Sequence, residues 1–378
     1  MPDPAATRVT EAETADKPDF EALALRCTRF LNGHGLRSAA DFLSEIAPDT
    51  AIDRYGGSGV VLELEAEVAL LLGKEAALFI PSGTMAQQAV LRVHADRRNS
   101  RTVVWHPACH LDQHEGRGYE RLHGLVATPA GSLRRPLRRA DLDDIAEPPA
   151  TLLLELPQRD LGGHLPSWDE LVAQVEWGRE RGAAVHLDGA RLWGCTTFYE
   201  RSLADISALF DTVYVSFYKG LGALAGCALA GPAELVAEVR TWRRRHGGTL
   251  FSMWPNAASA LYALRNRLPR MAAYVDHASA IAAELVKVPG VDVLPDPPPT
   301  EMMHFFLPAT AAGLRCAVVR MAEEEGVMTW PRGWDFDLPG LQRIELSVGE
   351  AVMGFEPAEV RSIVEQLISW AAESSDQA

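Results

Sequence analysis

Lys219 is a residue whose type and surroundings indicate chemistry. The chain has 378 residues and 36 basic side chains, yet only Lys17, Lys74, Lys219 and Lys287 are lysines. Lys219 comes shortly after the apolar run 212–217, which predicts a buried strand. Burial lowers the pKa of an amine toward the range in which the neutral amine forms a Schiff base with a carbonyl compound. An exposed lysine in a loop is the alternative interpretation.

Asp188 and Arg191 follow a second apolar run, in the segment H-L-D-G-A-R at 186–191. A buried carboxylate is unfavourable unless a cation or a hydrogen-bond donor accompanies it. Arg191 could be that cation in a purely structural ion pair. In the second interpretation, the two side chains bind charged groups of a ligand at the end of the strand.

Ser82, Gly83 and Thr84 come just after a third apolar run and begin a helical pattern. Such a segment can bind phosphate, because the first N–H groups of a helix lack partners and the helix dipole is positive there. Serine and threonine are also ordinary helix caps. Taken together, a phosphate site, a carboxylate and a rare lysine match what pyridoxal 5′-phosphate (PLP) requires. The carboxylate would keep the pyridine nitrogen protonated, and the lysine would bind the aldehyde.

Short apolar runs alternate with helical patterns from about residue 74 to residue 231. Several runs are continuous, which is typical of strands buried on both faces of a parallel sheet. The alternation predicts a doubly wound α/β domain, in which ligands bind at the carboxyl ends of the strands. The predicted strands cover 76–80, 102–105, 125–127, 151–156, 184–187, 212–217 and 226–230, and the helices between them include 84–95 and 168–181.

Beyond Pro232 the pattern becomes mainly helical, over 233–245 and 255–288, and then mixed. The mixed part predicts strands at 304–307, 327–330 and 342–347 and helices at 312–324 and 357–371. We therefore predict a disordered polar tail over residues 1–20, a large PLP-binding α/β domain over 21–255 and a small α+β domain over 256–378.

Charge and cysteine content narrow the class of protein. The net charge of −15 argues against nucleic acid or an anionic membrane as the main partner and favours a small molecule. No apolar run approaches the roughly 18 residues of a membrane-spanning helix. The five cysteines include no C-x-x-C pair, so neither a disulfide framework nor a zinc site is expected, and the cytoplasm is the predicted location. Pro107 makes a metal-binding helix across 106–114 unfavourable, so we expect no metal.

Four segments carry a resemblance to a known family. They are L-F-I-P-S-G-T-M-A at 78–86, A-C-H at 108–110, H-L-D-G-A-R at 186–191 and K-G-L-G at 219–222. In this order they resemble the threonine aldolase and β-eliminating lyase family of fold-type I PLP-dependent enzymes. The resemblance implies an aspartate aminotransferase-like fold, with a large, mainly parallel sheet and a smaller α+β C-terminal domain. It also implies a homodimer or homotetramer with shared active sites.

The resemblance implies a role for individual residues. Lys219 would bind PLP covalently, Asp188 would pair with the pyridinium nitrogen, and Arg191 would reach the phenolic oxygen and the substrate carboxylate. Ser82, Gly83 and Thr84 would hold the phosphate. His110 would stack on the ring and lie near the substrate β-hydroxyl group. The other substrate-binding residues that the resemblance implies are Arg343, Tyr55 and Glu115.

The resemblance implies cleavage of a β-hydroxy-α-amino acid to glycine and an aldehyde, as in a threonine aldolase, or the reverse condensation. Two departures leave alternatives open. Tyr218 stands where the family has a small hydroxyl residue, and the loop that contains Arg159 is longer than usual and compatible with an acidic substrate side chain. The alternatives are β-elimination, transaldolase or racemase activity on another amino acid, and a non-catalytic PLP-fold subunit.

Overall fold

The computed structural model describes residues 18–331 and 338–375. Residues 1–17 of the predicted tail lie outside the described residues, and the first helix begins at Phe20. The strands are β1 (Arg29–Phe30), β2 (Ala76–Ile80), β3 (Thr102–Trp105), β4 (Val126–Pro129), β5 (Thr151–Glu155), β6 (Ala184–Gly189), β7 (Thr212–Ser216), β8 (Cys227–Gly231), β9 (Asp292–Leu294), β10 (Met302–Leu307), β11 (Val327–Met328) and β12 (Gln342–Ser347). The helices are α1 (Phe20–Ala24), α2 (Ala39–Ser44), α3 (Gly59–Leu71), α4 (Gly83–Arg98), α5 (His110–Gln113), α6 (Gly118–His123), α7 (Trp168–Glu180), α8 (Cys195–Tyr199), α9 (Leu203–Ser207), α10 (Ala233–Arg245), α11 (Trp254–Asn266), α12 (Met271–Leu285), α13 (Ala311–Glu324) and α14 (Pro357–Ser375).

A seven-stranded sheet forms the centre of the molecule, in the order β2-β8-β7-β6-β5-β3-β4. Neighbouring strands from β7 to β4 run parallel, whereas β8 is antiparallel to both β7 and β2. Because only β8 is reversed, β2, β3, β5, β6 and β7 all end at the same edge of the sheet. The predicted α/β fold with a mainly parallel sheet is confirmed.

Burial on both faces explains the continuous apolar sequences of these strands. Along β2, Leu78 and Ile80 pack in a cluster with α4 and α10, whereas Phe79 joins the larger core on the opposite face. Every residue of β6 and β7 is buried. Since each large apolar side chain stabilises the fold by about 1.5–3 kcal/mol when buried, the sheet gives firm support to the side chains at its carboxyl edge.

The C-terminal elements form a second, smaller layer. Strands β9, β10 and β12 make an antiparallel sheet, and α12, α13 and α14 pack together beside it. The helical pattern expected over 255–288 is interrupted by a 3₁₀ turn at Leu268–Arg270, because Pro269 lacks the N–H that would continue α11. The three-residue strand β9 was not predicted from the sequence.

The N-terminal segment joins these C-terminal elements. Strand β1 pairs in parallel with β11, and Gly33 N donates to Ser347 O at 2.7 Å. Leu23 and Cys27 pack with residues of α13 and β11. The division into domains at residue 255 remains a prediction. The structure shows in addition that the first part of the described chain contacts the last part. Among residues 18–331 and 338–375, no helix has the length and apolar content needed to cross a bilayer.

Candidate active site

Lys219 lies in the turn that follows β7, at the carboxyl edge of the sheet. It is partly buried, and burial together with the nearby Arg191 lowers the pKa of its amine. This is the direction that favours an uncharged, nucleophilic amine. The structure therefore places Lys219 in the environment that the sequence predicted.

The loop after Lys219 is held by side chains from distant parts of the chain. His34 Nε2 donates to Gly220 O at 2.9 Å, and Arg37 donates to Gly222 O at 2.9 Å. Arg267 donates to Leu221 O at 3.1 Å. These carbonyl groups have partners, so the backbone next to the lysine is fixed. His34 was not a predicted site residue, because nothing in its local sequence indicates a contact with residue 220.

Asp188 lies beside a second carboxyl group, that of the partly buried Glu155. The two residues are paired in register on β6 and β5. Burial raises the pKa of Asp188, and the positive charge of Lys219 partly opposes this shift. The pKa of Glu155 is raised mainly by burial and, to a smaller extent, by the negative charge of Asp188. Glu155 accepts hydrogen bonds from Gln158 Nε2 at 2.8 Å and from Arg159 N at 3.1 Å. Asp188 accepts from Ala190 N at 3.1 Å, which leaves capacity for a further donor.

The N-terminus of α4 is open to an anion. Ser82 makes no side-chain cap, and within the described residues the N–H groups of Gly83, Thr84 and Met85 have no acceptor. A Cβ atom on Gly83 would lie 2.2 Å from the hydroxyl oxygen of Tyr214, so only glycine fits here. Four turns of helix behind these N–H groups add a positive dipole.

These features fit PLP. The unpaired N–H groups at α4 suit its phosphate, Asp188 suits the protonated pyridine nitrogen, and the Lys219 amine suits its aldehyde. The fit rests on N–H groups without an acceptor in the described part of the chain and on the capacity of Asp188 to accept a further hydrogen bond.

Two histidine–carboxylate pairs lie at the end of β3. His110 Nδ1 is 3.3 Å from Glu115 Oε1, and His114 Nε2 is 2.9 Å from Asp160 Oδ2. The two imidazole rings are 5.0 Å apart. The charge of His110 lowers the pKa of Asp188, although burial has the larger, opposite effect. The structure thus brings His110 and Glu115 into the neighbourhood of the Asp188 carboxylate.

Arg191 and Arg343 lie beside a carboxylate that sequence reasoning missed. Arg191 is 3.2 Å from Glu345 Oε1, and Arg159 Nε is 2.8 Å from Glu345 Oε2. Arg343, Arg159 and Glu345 line one cavity of about 550 Å³. Burial alone would raise the pKa of Glu345, but His304, Arg191 and Arg159 outweigh it and lower that pKa to about 2. The alternation along β12 could have shown that residues 343 and 345 share a face.

Tyr55 is not brought to Lys219 within the described part of one chain. It lines a different cavity, with Arg240, Arg243 and Arg244. Its ring packs edge-on against Phe251, with centroids 5.3 Å apart. A role for Tyr55 in the substrate site stays a prediction.

Glu301 is a further buried acid next to the lysine loop. Its carboxyl group packs closely against two glycines. A Cβ atom added to Gly220 would lie 2.6 Å from Glu301 Oε1, and one added to Gly194 would lie 2.0 Å from Glu301 Oε2. Burial raises the pKa of Glu301 to about 7. Its proximity to Gly220 was not visible in the sequence.

The raised pKa of Glu301 predicts how stability depends on pH. A carboxyl group whose pKa is raised by folding contributes stability that is complete below its unfolded pKa and is lost as pH rises through about 7. We expect Glu301→Gln to remove about 2 kcal/mol of the difference in unfolding free energy between pH 5 and pH 8. Urea unfolding of the parent and variant at both pH values measures it. The exposed Glu323→Gln serves as the control, and an unchanged pH difference in Glu301→Gln would contradict the assignment.

The doubly wound sheet, with Lys219, Asp188 and the open end of α4 at one edge, defines a PLP-dependent enzyme of fold type I. The chain belongs to the β-eliminating lyase family, whose model matches residues 46–308. It is a PLP-dependent lyase, and the predicted family and cofactor are confirmed.

Three similar proteins illustrate this membership. Aldolase vrtJ of Penicillium aethiopicum is 37% identical over 224 residues, which are 56% of this chain and 56% of that protein. The low specificity L-threonine aldolase of Escherichia coli K12 is 32% identical over 249 residues, 64% of this chain and 73% of that one. A crystal structure of a candidate L-allo-threonine aldolase from Listeria monocytogenes has a TM-score of 0.87 at 35% identity and covers 93% of this chain and 98% of its own. The alignment thus spans little more than half of the vrtJ protein.

Proposed function

We propose that this chain cleaves a β-hydroxy-α-amino acid into glycine and an aldehyde, or catalyses the reverse condensation. The observation that carries the proposal is the placement of the His110–Glu115 pair and Arg191 around Asp188 and Lys219. Relatives that bear the name threonine aldolase support it. PLP, when bound, would accept the electron pair that is released at the substrate Cα.

In this proposal, each of the site residues has a distinct role. Lys219 binds the cofactor, and Asp188 holds the proton on its pyridine nitrogen. Arg191 and Arg343 bind the substrate α-carboxylate through charge-assisted hydrogen bonds. His110 takes the proton from the β-hydroxyl oxygen, because Glu115 occupies Nδ1 and leaves Nε2 as the acceptor. The N–H groups of 83–85 bind the phosphate.

A product analysis tests the proposal. The purified protein, supplied with PLP, is incubated with threonine, allo-threonine, phenylserine and serine, and aldehyde, glycine, 2-oxo acid and ammonia are measured. Glycine and an aldehyde in equal amounts are expected. Formation of a 2-oxo acid and ammonia would instead identify β-elimination, and the absence of any product despite bound PLP would favour a non-catalytic subunit.

We also propose a homodimer or homotetramer that acts in the cytoplasm. The exposed Tyr55 and the arginines 240, 243 and 244 line a cavity that does not include Lys219, and an exposed cavity of this kind suits a contribution to the site of a second copy. Light scattering of the holoenzyme measures the mass, and a monomer with full activity would refute the shared site. The cysteine content supports the proposed location.

A further inference from the structure

Tyr214 is a buried residue of β7 that none of the sequence predictions gave a role. It is paired in register with Asp188 of β6 and is only 3% exposed. Its side chain belongs to the core cluster that also contains Ala86 of α4, and β7 contacts this helix directly. The strand that leads to Lys219 therefore places a tyrosine against the helix whose N-terminus is open to an anion.

The polar end of the Tyr214 side chain lies at the first residue of α4. A Cβ atom added to Gly83 would be 2.2 Å from the hydroxyl oxygen of Tyr214 and 3.0 Å from its ring carbon Cζ. Because the oxygen is the closer atom, the hydroxyl group is the part of the side chain that meets the helix. The N–H of Gly83 is one of the three N–H groups at this end that have no acceptor in the described part of the chain.

The hydroxyl group of Tyr214 makes no hydrogen bond with any residue that the structure describes. Other buried tyrosines do have partners. The hydroxyl of Tyr119 donates to Asp112 at 2.5 Å, and that of Tyr199 donates to Pro166 O at 3.0 Å. A buried hydroxyl group without a partner is unfavourable, and tyrosines in such positions usually have one. An unpaired hydroxyl beside unpaired N–H groups indicates a ligand that accepts hydrogen bonds from both.

The chemistry of these groups selects an anion with several oxygen atoms. Burial, followed by the neighbouring Cys227 and Asp188, raises the pKa of Tyr214, so its hydroxyl keeps the proton at neutral pH and can donate it. Backbone N–H groups are donors only. A phosphate group has three strong acceptor oxygens and negative charge, and hydrogen bonds to such a group are stronger than those between neutral partners.

We propose that Tyr214 binds the phosphate group of PLP through its hydroxyl, together with the N–H groups of residues 83–85. This inference rests on the phosphate site proposed above at the N-terminus of α4 and adds a side-chain donor from β7. The cofactor would then be held by β7 at both ends, through Tyr214 at the phosphate and through Lys219 at the aldehyde.

The test compares the binding of PLP with that of pyridoxal, which lacks the phosphate group. Each is titrated into the full chain after removal of the cofactor, and visible absorption reports binding without any turnover. Tyr214→Phe keeps the ring and removes the hydroxyl. It should weaken the binding of PLP about tenfold or more and leave that of pyridoxal unchanged. An unchanged ratio of the two affinities would overturn the proposal.

A control separates phosphate binding from support of the fold. Tyr199→Phe also removes a buried hydroxyl, but one that donates to Pro166 O at 3.0 Å, so its ratio of affinities should equal that of the parent. If the Tyr214 hydroxyl only supported α4, its loss would weaken PLP and pyridoxal alike. The ratio would then stay constant in Tyr214→Phe, which would refute the role in phosphate binding.

Gly83→Ala distinguishes a failure of this inference from a failure of the proposed phosphate site. Its methyl group would meet the Tyr214 hydroxyl oxygen at 2.2 Å, so the ring or the start of α4 must move. We expect a lower affinity for PLP relative to pyridoxal in this variant as well. A lower ratio in Gly83→Ala with an unchanged ratio in Tyr214→Phe would refute the role of Tyr214 alone, and unchanged ratios in both would also refute the phosphate site. Absence of aldol cleavage would alter neither result, because substrate is not used.

Discussion

The Lys219→Ala variant is expected to lose both the covalently bound PLP and all measurable product formation, a fall in rate of at least about 10³-fold. Lys219 is the lysine placed at the carboxyl edge of the sheet with a lowered pKa next to Asp188. Alanine has no amine to bind the aldehyde. Reduction with borohydride followed by mass spectrometry measures the attachment, and the product assay measures the rate.

The control for this variant is Lys287→Ala. Lys287 is exposed, lies two residues after the end of α12 and pairs with Glu284 at 2.5 Å. It should keep both the cofactor and the activity. A Lys219→Ala protein that still gains the mass of PLP after reduction would show that another amine holds the cofactor.

The Asp188→Asn variant is expected to retain PLP weakly and to lose about 10²–10³-fold in rate. The buried carboxylate is the group that can keep a proton on the pyridine nitrogen, and asparagine has the same shape without the charge. The expected loss therefore appears mainly in kcat, since the bound substrate still contacts Arg191 and Arg343. Rate measurements at saturating PLP, with a separate titration of the cofactor, distinguish catalysis from binding.

Asp211→Asn provides the comparison for Asp188→Asn. Asp211 Oδ2 accepts a hydrogen bond from Val185 N at 2.7 Å, at the opposite end of the same strands. A carboxylate is thus removed from the same sheet without touching the site. Activity within about threefold of the parent is expected for Asp211→Asn, and equal rates for Asp188→Asn and the parent would refute its electrostatic role.

The parts of the fold that followed from the sequence are those fixed by local pattern. Strands β2, β3 and β12 have the predicted bounds, because continuous or alternating apolar residues mark strands by themselves. Lys219, Asp188 and Ser82–Thr84 were found because each follows such a strand. Since only β8 is reversed, these strand ends meet at one edge, as the doubly wound topology requires.

The other contacts of the candidate site depend on pairings between distant segments, which no local sequence pattern contains. Glu155 meets Asp188 only through the register of β5 and β6, and Glu345 reaches Arg191 across 154 residues of sequence. His34 and Glu301 contact the lysine loop from the two ends of the chain. A segment that matches a family motif identifies the family, but it does not show which distant charged residues will lie against it. Tyr55 was matched by resemblance and lines a cavity that does not include Lys219, so its role stays a prediction.

The pairing of β1 with β11 has a consequence for biosynthesis. The N-terminal segment leaves the ribosome about 300 residues before its partner strand, which at roughly 5–20 residues per second is a delay of tens of seconds. The central sheet can assemble during this time, since β2 to β8 are contiguous in the sequence. His34, whose donation to Gly220 fixes the lysine loop, has no anchored strand beside it until residue 328 has been made. The segment that positions the lysine loop is therefore anchored only after the central sheet has been synthesised.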